Sequence, residues 1–199
     1  MLAAPGVVLA GLGLTHPDQL TRATAEWWTN LHVMLVPLFP LFGVALWMLI
    51  AGEKGWLAWA IRIAAFGYVV FYGALDVLAG VGTGWLVLEG AAPNGAEVEA
   101  LFNVAGSFAF WGTRLLVVAC VLTAYLFYVK AGRATLPGGI VLVLAAVVFR
   151  NSHIYWPEGG LSCLGLAVGL GWLGATARLN LRNDIRQDLS DRLAEDPAR

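Results

Sequence analysis

The stretch Phe149-Arg-Asn-Ser-His-Ile-Tyr-Trp-Pro-Glu-Gly-Gly160 places Arg150, Asn151, His153 and Glu158 between two long apolar runs. An α-helix needs about 20 apolar residues to cross the hydrocarbon core of a bilayer. Because runs of this kind recur along the chain, the sequence predicts an all-α integral membrane bundle of about five transmembrane helices. The quoted stretch then joins the last two spans and carries the densest polar chemistry in the apolar part of the chain.

The composition supports a membrane protein. Of the 199 residues, 59% are hydrophobic and 13% are charged, whereas charged residues make up about 25% of soluble domains. The net charge is -1, so the chain lacks the basic surface that nucleic acid needs, and nucleic acid is not an expected partner. The lipid bilayer is the expected partner. Cys120 and Cys163 both lie in apolar runs, where a free cysteine behaves as a small hydrophobe.

The apolar runs set the predicted spans, which cover residues 31–51, 57–79, 101–129, 137–156 and 161–177. The first span contains Pro37 and Pro40, and each proline removes a backbone hydrogen bond, so we expect a bend in the outer half of this helix. The fourth span has only about a dozen apolar residues before Arg150. To cross the membrane it must continue to Trp156.

The spans divide the chain into an N-terminal interfacial segment and connector (1–30), a membrane domain (31–177) and a cytoplasmic amphipathic tail (178–199). Residues 1–14 are apolar but too few to span a bilayer, so we expect an interfacial or re-entrant position. The tail has an apolar residue at every fourth position, which indicates an amphipathic helix. These residues are Leu181, Ile185, Leu189 and Leu193.

The basic residues predict the orientation. With about five spans, Lys54 and Arg62, Lys130 and Arg133, and the arginines from Arg178 onwards all fall on one side. An excess of lysine and arginine marks the cytoplasmic side. The N-terminus and the acidic loop 89–99 are therefore expected outside, and the expected location is the bacterial cytoplasmic (inner) membrane.

Polar residues within the spans are the candidate functional residues, because an ionised side chain at the bilayer centre costs at least about 2.5–3.5 kcal/mol and needs a partner or a purpose. One interpretation pairs Asp76 with Arg114 or Arg150 and only fixes helix packing. The other is an outward-facing cavity for a small anionic or polar-headed ligand, with arginine as a bidentate donor. The candidate ligand-binding residues are Asp76, Arg114, Arg150, Asn151, His153 and Glu158.

A metal or haem site is a further hypothesis, with His32 and His153 as the candidate ligands from two different spans. The sequence contains no His-x-x-x-His or Cys-x-x-Cys-His motif to support it, and it does not identify a cofactor. No catalytic residue is identified, and whether the protein is an enzyme stays open.

Two other function classes remain, an accessory subunit of a larger membrane complex and a haem- or quinone-linked membrane enzyme. The subunit interpretation rests on nine tryptophans and on the small-residue spacing of Gly165-Leu-Ala-Val-Gly169. That spacing favours close helix contact within the bundle, and it could also serve a partner subunit.

The chain also resembles a pattern in small uncharacterised bacterial multi-pass membrane proteins. The matching residues are Phe71-Tyr-Gly-Ala-Leu-Asp76-Val-Leu-Ala-Gly80-Val-Gly-Thr83-Gly84 and His153-Ile-Tyr-Trp-Pro157-Glu-Gly-Gly160. In the pattern, an aspartate and a glycine-threonine-glycine end one span, and a histidine precedes a proline-glycine turn into the last span. The proline pair of the pattern is reduced here to Pro157. The resemblance covers about a third of the chain and implies no known activity.

Overall fold

The computed structural model describes residues 1–195, and within the last helix it leaves out the side chains of 180, 181, 183–185, 188, 189 and 191–195. Helices and short turns make up the whole described part, and no strand occurs in it. The elements are α1 (Ala4–Gly13), α2 (Ala25–Leu38), α3 (Pro40–Leu49), α4 (Trp56–Leu75), a π-helix (Asp76–Gly82), α5 (Thr83–Leu88), α6 (Ala96–Ala131), a 3-10 turn (Gly132–Thr135), α7 (Leu136–Ser152) and α8 (Glu158–Glu195).

Four segments within residues 1–195 are long and apolar enough to cross a membrane: Ala25–Leu49, Trp56–Leu88, Ala96–Ser152 and Glu158–Leu179. The third segment holds two helices, α6 and α7, that pack against each other across the 3-10 turn. Gly132 in this turn has φ 69°, a backbone conformation that glycine adopts without strain. The predicted all-α membrane bundle of about five helices is confirmed.

The first, second and fourth spans do not run as predicted. The first span begins at Ala25 and is interrupted near its middle, at Phe39, because Pro40 has no N–H to donate. The α-helical part of the second span ends at Leu75, four residues early, and continues as a π-helix. The fourth span ends at Ser152 and does not reach Trp156, because His153 takes φ 47°.

Close packing of α7 on α8 uses the predicted small-residue face. A β-carbon on Gly165 would lie 2.7 Å from that of Ala145, and one on Gly169 would lie 2.8 Å from the backbone nitrogen of Leu142. Both glycines are therefore occupied by a helix of the same chain. The subunit interpretation supposed that this face could bind another chain, but α7 already covers it.

Two of the three predicted basic clusters, Lys54 with Arg62 and Lys130 with Arg133, lie at one end of the bundle. Lys130 forms an ion pair with Glu53, which joins the turn after α3 to the end of α6. The Arg62 guanidinium donates to the backbone carbonyls of Ile50 and Glu53 at 3.2 and 3.0 Å. These contacts define a basic end, which brings together the turns 51–55 and 130–135. The side of the membrane that it faces stays a prediction.

The N-terminal helix α1 packs lengthwise on α8. A β-carbon on Gly6 would meet the carbonyl oxygen of Cys163 at 2.3 Å, and Leu2 lies beside Gly174. Leu9 and Ala10 are buried. Residues 1–14 therefore form part of the bundle, and α1 extends along α8 towards the basic end. Their depth in the bilayer stays a prediction.

The predicted tail continues the last span, since α8 runs unbroken to Glu195. The side chains of Leu181, Ile185, Leu189 and Leu193, on which the amphipathic prediction rests, lie outside the described part of the structure, as do residues 196–199.

The contact between α7 and α8 gives a first testable prediction. Gly169→Ala should destabilise the protein by about 1–3 kcal/mol, because the new methyl group overlaps the α7 backbone. Thermal melting in detergent measures this. Gly106→Ala on α6 is the matched control, since no atom lies within 4 Å of the added carbon, and it should melt at or slightly above the wild-type temperature. Equal melting of both variants would contradict the packing described here.

Candidate metal centre and adjoining cavity

All three histidines of the chain meet at one point of the fold. His16 comes from the connector between α1 and α2, His32 from α2, and His153 from the turn between α7 and α8. One potential ligand atom from each lies within 4.8 Å of the other two. We call these three residues the histidine triad. The two predicted metal candidates, His32 and His153, are therefore brought together with a third.

Each ring of the triad uses its Nδ1 atom for another contact. Nδ1 of His16 donates to the carbonyl of Pro17 at 2.8 Å, and Nδ1 of His32 donates to that of Trp28 at 2.7 Å. Nδ1 of His153 lies 2.5 Å from the Tyr72 hydroxyl. Nε2 is thereby left as the free ligand atom in all three, and Nε2 of His16 is buried without a hydrogen-bond partner in the described part of the chain. Histidines that bind metals almost always hold their second nitrogen in this way.

Local structure explains how the rings come so close. Gly80 in the π-helix faces His32, and a β-carbon there would lie 2.1 Å from Cδ2 of the ring. Only glycine permits this approach. The Trp28 indole donates to the carbonyl of Ala79 at 3.3 Å, which fastens α2 to the π-helix. The Trp27 indole donates to the carbonyl of Thr15 at 2.8 Å and holds the connector beside His16.

Burial favours the neutral form of His16 and His153, the two triad histidines that lie outside the spans. Burial lowers the pKa of His16, against smaller opposing effects of its bond to Pro17 and of nearby Asp18. Burial also lowers the pKa of His153 well below its usual range, and the neighbouring His32 and His16 lower it further. A neutral imidazole is the form that binds a metal ion.

A cavity of about 240 Å³ adjoins the triad. His32 and His153 lie in its wall, and Arg150 and Asn151, which are exposed, lie at its open end. The remaining wall is mostly apolar and comes from α2, α4, the π-helix, α6 and α7. Its apolar and aromatic residues are Trp28, Tyr72, Leu75, Ala79, Phe102, Ala109, Phe149 and Tyr155.

Asp76 is the one acidic side chain in this wall. It is 1% exposed, and neither carboxylate oxygen has a hydrogen-bond partner among the described residues. The pairing of Asp76 with Arg114 or Arg150 is therefore absent from the structure. The carboxylate of Asp76 is not among the potential ligand atoms of the histidine triad that lie within 4.8 Å of one another.

Two of the other predicted site residues lie away from the cavity. The Arg114 guanidinium stacks 3.4 Å from the ring centre of Phe110 and donates to its carbonyl at 2.9 Å, because the two residues are one helical turn apart on α6. Glu158 begins α8, is exposed, and lines a separate surface depression with Asn151 and Tyr155. Ligand binding by the predicted residues stays a prediction, with Asp76, Arg150, Asn151 and His153 in one cavity.

His16 is the residue that the sequence analysis missed. It lies in the polar stretch Thr15-His-Pro-Asp-Gln-Leu-Thr-Arg22 of the connector, and no spacing relates it to His153, 137 positions later. One feature of the sequence could have indicated His16. The chain has only three histidines; two of them lie at membrane positions, and the third, His16, lies in the connector that leads into the helix of His32.

No protein-family model, no curated protein and no solved structure matches the chain.

The unpaired state of Asp76 gives a second testable prediction. Asp76→Asn removes a buried charge that has no partner, so the melting temperature in detergent should stay level or rise. If Asp76 instead formed an ion pair with an arginine, the same change would cost several kcal/mol and melting would fall steeply. Arg133→Gln, an exposed change at the basic end, is the control for changes of net charge.

Proposed function

We propose that this protein is a multi-pass membrane metalloprotein whose histidine triad binds one divalent transition-metal ion, with Zn²⁺ as the best fit. The observation that carries the proposal is the convergence of all three histidines, each with Nδ1 engaged and Nε2 free. Imidazole suits zinc, copper, iron and nickel, whereas magnesium and calcium prefer oxygen ligands.

The spacing of the rings supports a single bare ion. Zinc–nitrogen distances of about 2.0–2.1 Å in a tetrahedral site place the ligand nitrogens about 3.3 Å apart. The triad nitrogens lie within 4.8 Å, so small ring rotations complete the site. Three histidines leave a fourth position for water or substrate, as in catalytic zinc sites.

The same arrangement disfavours the haem hypothesis. The His32 and His153 rings are nearly parallel, at 6°, with centroids 6.3 Å apart. The His16 ring stands edge-on beside them, 5.1 Å from His32 and 5.8 Å from His153. Bis-histidine ligation needs the two rings on opposite faces of a wide macrocycle, whereas three mutually close rings match one ion.

The cavity next to the triad is the proposed binding site for an organic ligand. Arg150 and Asn151 at its open end can donate to an anionic or polar head group, which keeps the sequence-based proposal of an outward-facing cavity for such a ligand. We place the triad end outside and the basic end in the cytoplasm of a bacterial inner membrane, by the excess of lysine and arginine at the basic end. Because Leu2 lies beside Gly174, this orientation puts the first residues of α1 towards the cytoplasmic side, in contrast to the N-terminus outside that the sequence predicted. Partner subunits stay possible, but the Gly165–Gly169 face gives no argument for them.

A metal titration tests the proposal. The purified protein in detergent, stripped with a chelator and then given Zn²⁺ alone, should retain about one ion per chain by elemental mass spectrometry. His16→Ala, His32→Ala and His153→Ala should each lose this ion while circular dichroism stays helical. Wild-type zinc content in all three variants would refute the triad site.

Glycine variants give a matched pair for the same titration. Gly80→Ala pushes its methyl group into the His32 ring and should lower the zinc content, whereas Gly73→Ala on α4 has no atom within 4 Å of the added carbon and should bind as the wild type does.

The bond between Tyr72 and His153 gives a fourth testable prediction. Tyr72→Phe removes only the hydroxyl that holds Nδ1 of His153. Zinc affinity should fall by about 10–100-fold, the usual effect of losing such an outer contact. Competition with a zinc-binding dye measures the affinity. Tyr125→Phe, on the exposed face of α6, is the control, and an equal affinity in both variants would show that Tyr72 does not support a metal ligand.

A further inference from the structure

Resting on the proposed metal site, we infer that the protein hydrolyses an acyl ester of an anionic amphiphile, with Asp76 as the base that accepts a proton from a water held by the zinc ion. Three observations lead to this reaction: the open coordination position, the buried carboxylate in the same cavity, and the apolar wall that ends in an arginine.

The open coordination position of the proposed ion faces the cavity. His32 and His153 both lie in the cavity wall, so a ligand in the fourth position of the ion projects into the cavity. A water in that position is polarised by the ion, and its pKa falls to about 7 in known zinc sites. The cavity thus receives a nucleophile at neutral pH.

Asp76 is the buried acidic side chain of the same cavity wall. A carboxylate buried without a hydrogen-bond partner is costly and calls for an explanation. Asp76 shares the cavity wall with His32 and His153 but is not one of the close ligand atoms. It stands on the π-helix one turn beyond Tyr72, whose hydroxyl bonds His153. A water between the ion and Asp76 would satisfy both the open position and the carboxylate.

The reaction balances without any further reagent. The triad would hold the ion, and the ion would supply a polarised water and offset the negative charge on the carbonyl oxygen. That water would give one proton to Asp76 while its oxygen forms a bond to the ester carbonyl carbon. The bond from carbon to the alkoxy oxygen would then break, Asp76 would pass its proton to the leaving oxygen, and a carboxylic acid and an alcohol would be released.

The cavity wall selects the substrate class. A volume of about 240 Å³ is slightly below the roughly 300–1,000 Å³ of pockets that enclose a whole ligand. It fits the polar part and the first carbons of an amphiphile while the remaining chain stays in lipid. Leu75, Phe102 and Phe149 supply the apolar contacts, and Arg150 at the open end supplies a donor for an anionic group.

The side of the cavity near α6 can admit such a chain. α6 has 36 residues and α7 has 17, and Gly139 of α7 faces Ala124 of α6. At 1.5 Å per residue, the first part of α6 therefore extends about 22 Å past the end of α7. Phe102 and Ala109 lie on this part of α6, which α7 does not cover, and line the cavity.

The experiment uses the full chain in detergent, with and without Zn²⁺, and two chromogenic esters. The anionic probe is 4-nitro-3-(octanoyloxy)benzoate and the neutral probe is 2-nitrophenyl octanoate. The zinc-loaded protein should hydrolyse the anionic ester, and chelation should abolish the reaction. Asp76→Asn should lower kcat by about 100-fold or more, as expected for loss of a general base, while it still retains about one zinc ion per chain.

Arg150→Gln separates binding from chemistry. It should raise KM for the anionic ester about tenfold or more and leave KM for the neutral ester unchanged, with kcat and zinc content near wild type. The matched control Arg133→Gln removes an exposed arginine at the basic end and should change neither constant.

The outcomes distinguish the two proposals. A protein that retains no zinc refutes both the metal site and the hydrolase. A protein that retains zinc but hydrolyses neither ester, or an Asp76→Asn variant with wild-type kcat, overturns the hydrolase and leaves the metal site standing. Hydrolysis with equal KM changes for both esters in Arg150→Gln overturns the assignment of an anionic substrate.

Discussion

A polar group buried in an apolar bundle must find a partner within the protein, because no solvent is there to supply one. Most polar side chains of this structure obey the constraint through nearby carbonyls. Thr29, Thr83 and Thr113 bond the carbonyl of the preceding turn, and Tyr68 donates to the carbonyl of Phe39. Among the described residues, three of the four buried side-chain atoms without a partner lie at the triad and its cavity, namely Nε2 of His16 and both oxygens of Asp76, and the fourth is the hydroxyl of Thr123 on α6.

The backbone around these groups departs from regular helix at the same level. The second span changes to a π-helix at Asp76, and the fourth span ends at His153 with positive φ. A π-helix in a long span often marks a functional position. Here it carries Asp76 in the cavity wall and presents Gly80 to His32. The irregular backbone and the unpartnered side chains are thus two results of assembling one site.

The sequence predicted the membrane bundle well because apolar length is a local property that survives folding. Span ends were less accurate, since hydropathy does not register the conformation of His153 or the change of helix type at Asp76. The cavity was partly predictable, because buried polar residues at similar depths tend to converge, and four predicted residues share its wall. Arg114 does not line the cavity as predicted, because its guanidinium stacks on Phe110 of its own helix. This contact accommodates the charge without crossing the bundle.

The triad was predictable only in part. His32 and His153 are candidate metal ligands by their membrane positions, whereas His16 comes from a connector that approaches them only in the folded bundle. The charge balance of the triad gives the final argument for an ion. Three neutral imidazoles leave the carboxylate of Asp76 without a compensating charge among the described residues in the cavity interior, since Arg150 lies at the exposed end. A divalent ion at the triad would supply positive charge beside that carboxylate and would accept the Nε2 lone pair of each ring. One ion would therefore account for the unpartnered atoms of both His16 and Asp76, which a helix-locking ion pair would not do.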